Sequence, residues 1–227
     1  MLVIDHITSP TALITPIADI VELARRRGIV TLVDAAHSPG HVDVDIAALN
    51  PDFWVGNLHK WLCAPKGCAV LYVSEAYRET IHPGVISYGY GGGLHKEFSW
   101  VGTLDPTPWF CAPLAIALHE AQGGAAFRAA NHRLVQRGRE VIADAIDVDL
   151  PHPDDPALYG AMASILLPCS NDDAEALFHA LRFEHRIEVP IFIWGGRAWL
   201  RISGYAAFNT PDQYLRLAEV LRAHLRG

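Results

Sequence analysis

Ile29-Val30-Thr31-Leu32-Val33-Asp34-Ala35-Ala36-His37 is a mainly apolar run that ends in a carboxylate and an imidazole. Continuous rather than alternating apolarity predicts a strand buried on both faces, as parallel-sheet strands are. The preceding sequence supplies the crossover that such a sheet requires. Leu2 to Ile7 reads as a first strand and Thr8-Ser9-Pro10 as a loop. A helix follows, with Thr15 as its cap, Pro16 in its first turn, Ile17, Ile20, Val21 and Ala24 along one face, and Gly28 as its stop. Strand, helix and strand in this order imply an α/β fold whose mostly parallel sheet carries helices on both faces. Ligands of such sheets bind beyond the carboxyl ends of the strands.

Downstream, Phe53-Trp54-Val55 reads as a strand running into Gly56-Asn57-Leu58-His59-Lys60, and Cys68 to Val73 as another. Asp34 and Lys60 therefore sit at successive strand ends. Residues 83–108 are rich in Gly, Pro and aromatics with little periodicity, which predicts a long ordered loop near the site. Helices are expected over 109–121 and 125–145, and a Pro- and Asp-rich loop over 150–156. A strand at 161–167, a helix at 172–185, strands at 187–193 and 199–203 and a helix after Thr210-Pro211 complete a small α+β domain. The division expected is 1–122 for the large domain and 123–227 for a linking helix and the small domain.

The chain has 227 residues, 51% of them hydrophobic, enough for one large domain or two unequal ones. A formal charge of −7 with no Lys/Arg-rich run argues against nucleic acid or an anionic membrane as the main partner. Met1 leads straight into a strand-like run with no basic segment, and no apolar stretch approaches the ~20 residues of a membrane span. The cytoplasm is the expected compartment. Cys63, Cys68, Cys111 and Cys169 form no C-x-x-C pair and read as free thiols.

A lysine in a protected site can form an imine with a carbonyl compound, and pyridoxal 5′-phosphate additionally needs an acid beside its ring nitrogen. Lys60 and Asp34 supply that pair. Arg201, in Leu200-Arg201-Ile202-Ser203, offers the forked donor that a carboxylate prefers. His37-x-x-x-His41 with Asp34 nearby is the best metal candidate, but Pro39 and Gly40 break the helix that a two-histidine site needs, so no metal is expected.

Asp34-Ala35-Ala36-His37-Ser38-Pro39-Gly40, then His59-Lys60 and Ala64-Pro65-Lys66-Gly67, resembles the signature of class V aminotransferase-fold enzymes. Within that family, His6-Ile7-Thr8-Ser9-Pro10-Thr11-Ala12, Lys60 to Gly67 and Ile187-Glu188-Val189-Pro190 look most like the isopenicillin N epimerase-like branch, a relative of the cysteine desulfurases. The resemblance covers essentially the whole chain. It implies the C-terminal part of a fold-type I pyridoxal-phosphate-dependent transferase, with the N-terminal portion of the large domain absent. A fragment of a longer enzyme, one half of a split enzyme and a non-catalytic remnant are the three forms this could take.

By the same resemblance, Lys60 is the Schiff-base lysine, Asp34 the partner of the pyridinium nitrogen, and His37 lies against the ring or its phenolic oxygen. His59 helps hold the phosphate, Ser9 approaches the phenolic oxygen, and Thr103 of Trp100-Val101-Gly102-Thr103 reaches the phosphate of a neighbouring subunit, which implies a homodimer. Arg201 binds the substrate α-carboxylate, with Arg197 of Trp194-Gly195-Gly196-Arg197 expected as a second contact ahead of Tyr90. The implied activity is at the α-carbon of an amino acid, as an epimerase or a carbon–sulfur lyase, with transamination or a purely binding remnant as alternatives. A desulfurase of this family needs a cysteine ahead of the carboxylate-binding arginine, and Glu188 to Leu200 contains none.

Overall fold

The computed structural model describes residues 1–225, so the last two residues of the expected small domain lie outside the described residues. Four strands, β1 (Leu2–Asp5), β2 (Thr31–Asp34), β3 (Phe53–Asn57) and β4 (Ala69–Val73), form one sheet in that spatial order. The first three are parallel and β4 is antiparallel to β3. Helix α1 (Ile17–Arg26) joins β1 to β2 and buries Ile17 and Val21 against Val33, Ala35 and Trp54. The α1 start differs from expectation: a ψ of 64° takes Pro16 out of the helix, making it the N-cap, and no side chain caps it. A short α2 (Ile46–Leu49), capped by Asp45, went unanticipated because four residues show no period.

Within residues 83–108 the chain forms α3 (Leu94–Phe98). Its Glu97 is 4% exposed and accepts hydrogen bonds from His82 Nδ1 (2.7 Å) and the Gly91 amide (3.0 Å), so one carboxylate ties the loop together. The His82 hydrogen bond holds that carboxyl below the usual glutamate range. The single helix expected over 109–121 is two, α4 (Thr107–Phe110) and α5 (Ala112–Ala121). Pro113 has no N–H to offer Trp109, so the helical ladder breaks there.

The chain divides into two compact units, Met1–His6 with Pro16–Ala121, and Ile7–Thr15 with the chain from Gln122 onward. The second contains α6 (Ala125–Ile146), β5 (Met162–Leu166), α7 (Asn171–Phe183), β6 (Ile191–Trp194), β7 (Arg197–Ser203) and α8 (Pro211–Leu225). Its antiparallel sheet has the order β5-β7-β6, and Val135, Ile142, Ile165, Leu181, Leu200 and Leu221 form a fully buried core. Strand β6 begins later than expected because Pro190 cannot donate to the ladder, while its carbonyl accepts from the Arg201 amide at 3.1 Å. Residues 7–15, assigned by sequence to the large domain, bond within the second unit. Pro10 O accepts from Ser164 Oγ (2.7 Å) and the Ile14 amide donates to Leu158 O (2.8 Å). Among the described residues no helix is long and apolar enough to cross a membrane.

Candidate active site

In the first unit the polar groups gather where the parallel strands end. Asp34 closes β2 directly beside its register partner Asp5 on β1, and its Oδ1 accepts from the Ala36 amide at 2.9 Å. Burial, then the negative charge of Asp34, pushes the Asp5 carboxyl up. The chain next turns tightly: Ser38 N donates to Ala35 O, and His41 N to Ser38 O. This turn buries His37, Ser38 and His41. Gly40 has a φ of +78°, and a Cβ there would lie 3.0 Å from the Trp61 carbonyl carbon and the Leu62 side chain, so only glycine lets the two loops meet.

Beyond β3, residues 58–68 form the loop carrying the lysine. The Leu58 amide donates to Cys68 O and the Ala64 amide to Leu58 O, both at 3.0 Å, and Cys63 takes a left-handed φ of 58°. The fold of this loop brings Lys60 Nζ to 3.3 Å from His37 Nε2, while Trp61 Nε1 donates to His37 Nδ1 at 3.4 Å. His59 faces another way, with Nδ1 2.9 Å from Cys68 O. Because a carbonyl can only accept, that nitrogen carries the proton and Nε2 is left as an acceptor in the neutral ring.

The sequence reading gave buried His6, Ser38 and Trp61 no role and weighed His41 only as a metal ligand. His6 Nδ1 lies 2.9 Å from Ser38 Oγ, and burial lowers its pKa. The His41 ring packs on Trp61 with centroids 4.3 Å apart, and its Nδ1 is 3.0 Å from His37 O. Burial pushes His41 down to about 3, so it stays neutral. The only signal for these was the density of His and Trp within the two motifs. Among the described residues no group of three or more His, Cys, Asp or Glu could hold a metal ion.

The second unit brings Ser9 and Arg201 together. Arg201 Nη1 donates to Ser9 O (2.7 Å) and Ser9 Oγ (3.0 Å), and its guanidinium lies 5.2 Å from the centre of the Phe192 ring. Its buried Nε has no hydrogen-bond partner among the described residues. A cavity of about 590 Å³ in this unit is lined by Arg186, Glu188, Arg201, Asn209, Gln213 and Arg216. Arg197 opens β7 on the same strand face as Arg201, about 13 Å away at the usual strand rise. It is exposed beside a turn in which Gly195 and Gly196 have φ of 59° and 74°. Thr103 is exposed in the loop before α4.

The fold is that of an α/β protein, with an amine and a carboxylate near the carboxyl ends of its parallel strands, where ligands of such sheets bind. The chain belongs to the aminotransferase class-V family, whose sequence profile matches residues 1–177. It is 35% identical to isopenicillin N epimerase from Streptomyces clavuligerus over 96% of this chain and 58% of that protein. It is 32% identical to an L-cysteine desulfhydrase from Arabidopsis thaliana over 96% of this chain and 53% of that protein. A cysteine desulfurase structure from Thermococcus onnurineus NA1 superposes with a TM-score of 0.79 at 22% identity, over 99% of this chain and 60% of that one, and so shares the fold. The chain thus spans between half and three fifths of the length of these relatives.

Proposed function

We propose that this chain carries the cofactor lysine of a pyridoxal-phosphate enzyme that acts at the α-carbon of an amino acid, by epimerisation or carbon–sulfur elimination. The observation that carries the reading is Lys60 Nζ lying 3.3 Å from His37 Nε2 in the unit where Asp34 ends β2. The donor set fits the cofactor: an amine for its aldehyde, a carboxylate for its ring N–H and an imidazole for its phenolic oxygen. Bound there, the cofactor would supply an electron sink for a bond broken at the substrate α-carbon. Lys60, as a free amine beside the substrate, would move the α-proton. Asp34 holds the proton on the ring nitrogen, His37 contacts the ring or phenolic oxygen, and His59 binds phosphate. The family resemblance assigns Ser9 to the phenolic oxygen, Arg201 to the substrate carboxylate and Arg197 to a further substrate contact. Thr103 completes the phosphate site of a second subunit, which makes a homodimer the competent form. The names of the relatives, an epimerase and a desulfhydrase, support both branches of the reaction.

Titration of the protein with pyridoxal phosphate tests the cofactor assignment. A visible absorption band is expected, with a borohydride-fixed mass increment on Lys60, and Lys60→Ala abolishes both. Absence of the band, or labelling of another lysine, overturns it. In heavy water, α-deuteration with inversion of a candidate amino acid supports epimerisation, whereas keto acid with released thiol supports elimination. Formation of the cofactor's amine form with a keto acid would instead favour transamination.

A further inference from the structure

We propose that Trp61 is a positioning residue that, through His37, holds Lys60 as an uncharged amine. The inference rests on the function proposed above and deepens it. An indole N–H can only donate, so His37 Nδ1, 3.4 Å from Trp61 Nε1, must be the acceptor and cannot itself carry a proton. A neutral imidazole holds one proton, which is thereby placed on Nε2. That N–H faces Lys60 Nζ at 3.3 Å. An ammonium has three donors and no lone pair, so two donors would face each other across this contact. The uncharged amine accepts the Nε2–H, and it is also the form that attacks an aldehyde. The reverse arrangement, Lys60 donating to a bare Nε2, would move the imidazole proton to Nδ1 and set it against the Trp61 N–H. The indole thus selects one tautomer, and that tautomer selects one charge state of the lysine.

The neighbouring groups suit this role. Trp61 is buried and braced by the His41 ring, so its N–H has a fixed direction. His41 Nδ1 holds the His37 carbonyl at 3.0 Å, which fixes the backbone from which the His37 ring projects. Gly40 lets the two loops approach closely enough for both contacts.

The test replaces the N–H without altering the shape. Benzothienylalanine at position 61 keeps the bicyclic ring but puts sulfur where the N–H stood, and Trp61→Phe is the second variant. Nitrogen NMR of labelled histidine, with the His37 signals assigned by comparison with His37→Gln, reads the tautomer directly in the cofactor-free protein. The expected result is an Nε2-protonated His37 in the native protein. In the sulfur variant, the preference relaxes by roughly fivefold, the ratio that one neutral hydrogen bond sustains. Labelling of Lys60 by a small aldehyde with borohydride slows by a similar factor at neutral pH. A native His37 protonated on Nδ1 overturns the proposal even if neither variant folds. An unchanged tautomer and an unchanged labelling rate in the sulfur variant overturn it equally. Neither readout uses pyridoxal phosphate, so failure of the cofactor assignment and failure of this relay are separately visible.

Discussion

Arg201 and Ser9 are 192 residues apart in the chain, yet one guanidinium nitrogen of Arg201 donates to both the backbone carbonyl and the hydroxyl of Ser9, at 2.7 and 3.0 Å. The contact fastens the 7–15 segment to the face of β7. A residue assigned to substrate recognition therefore also has a structural duty, and the two can be separated by mutation. Ser9→Ala keeps the carbonyl contact and is expected to cost about 0.5–1 kcal/mol. Arg201→Ala loses both bonds and the packing on Phe192, and about 2–3 kcal/mol is expected. Hydrogen exchange of the β7 amides checks this within the second unit alone. Equal effects of the two substitutions would contradict it.

Gly56 near the end of β3 is required by contact rather than by dihedral angle. A Cβ there would lie 2.4 Å from Trp54 Cη2 and 2.8 Å from Pro39 Cγ, in a buried region with no room to yield. Gly56→Ala should destabilise the first unit by about 1–3 kcal/mol through overpacking. Gly84→Ala, where a Cβ meets nothing within 4 Å, should change stability by less than about 0.5 kcal/mol. Urea melts of the two variants make the comparison.

His41 sets an acid limit. Its pKa is near 6.5 unfolded and about 3 folded, so below pH 6.5 the unfolded state binds the extra proton first. Stability contributed by the neutral ring is therefore complete above pH 6.5 and is lost progressively as pH falls towards 3. His41→Phe keeps an aromatic ring against Trp61 and removes the titrating group. The fall in urea midpoint between pH 6.5 and 4 should be shallower in that variant, with the native protein as reference. Parallel slopes would rule out His41 as the source.

Much of the fold could be read in advance because its signals are local and repeated. The mainly apolar run 29–33 announced a parallel strand, the apolar stripe of α1 a crossover, and the motif residues at Asp34 and Lys60 two strand ends. Boundaries failed where a single proline decided them, as at Pro113 and Pro190, since one missing N–H is a weak signal in sequence and a decisive one in a hydrogen-bond ladder. Residues 7–15 went to the wrong side of the expected division because their partners, Ser164 and Arg201, are more than 150 residues away.

The sequence by itself determined the residue types and their spacing: a carboxylate and an imidazole ending one strand, a lysine beyond another, and an arginine on a later one. Those follow from backbone periodicity, which acts over a few residues. Only the tertiary structure decided which of them touch. The His37 pairing with Lys60, the indole of Trp61 behind it and the hold of Arg201 on Ser9 depend on close packing between loops distant in the chain. Hydrogen bonds form only within about 3.5 Å, a distance that spacing along the sequence does not fix.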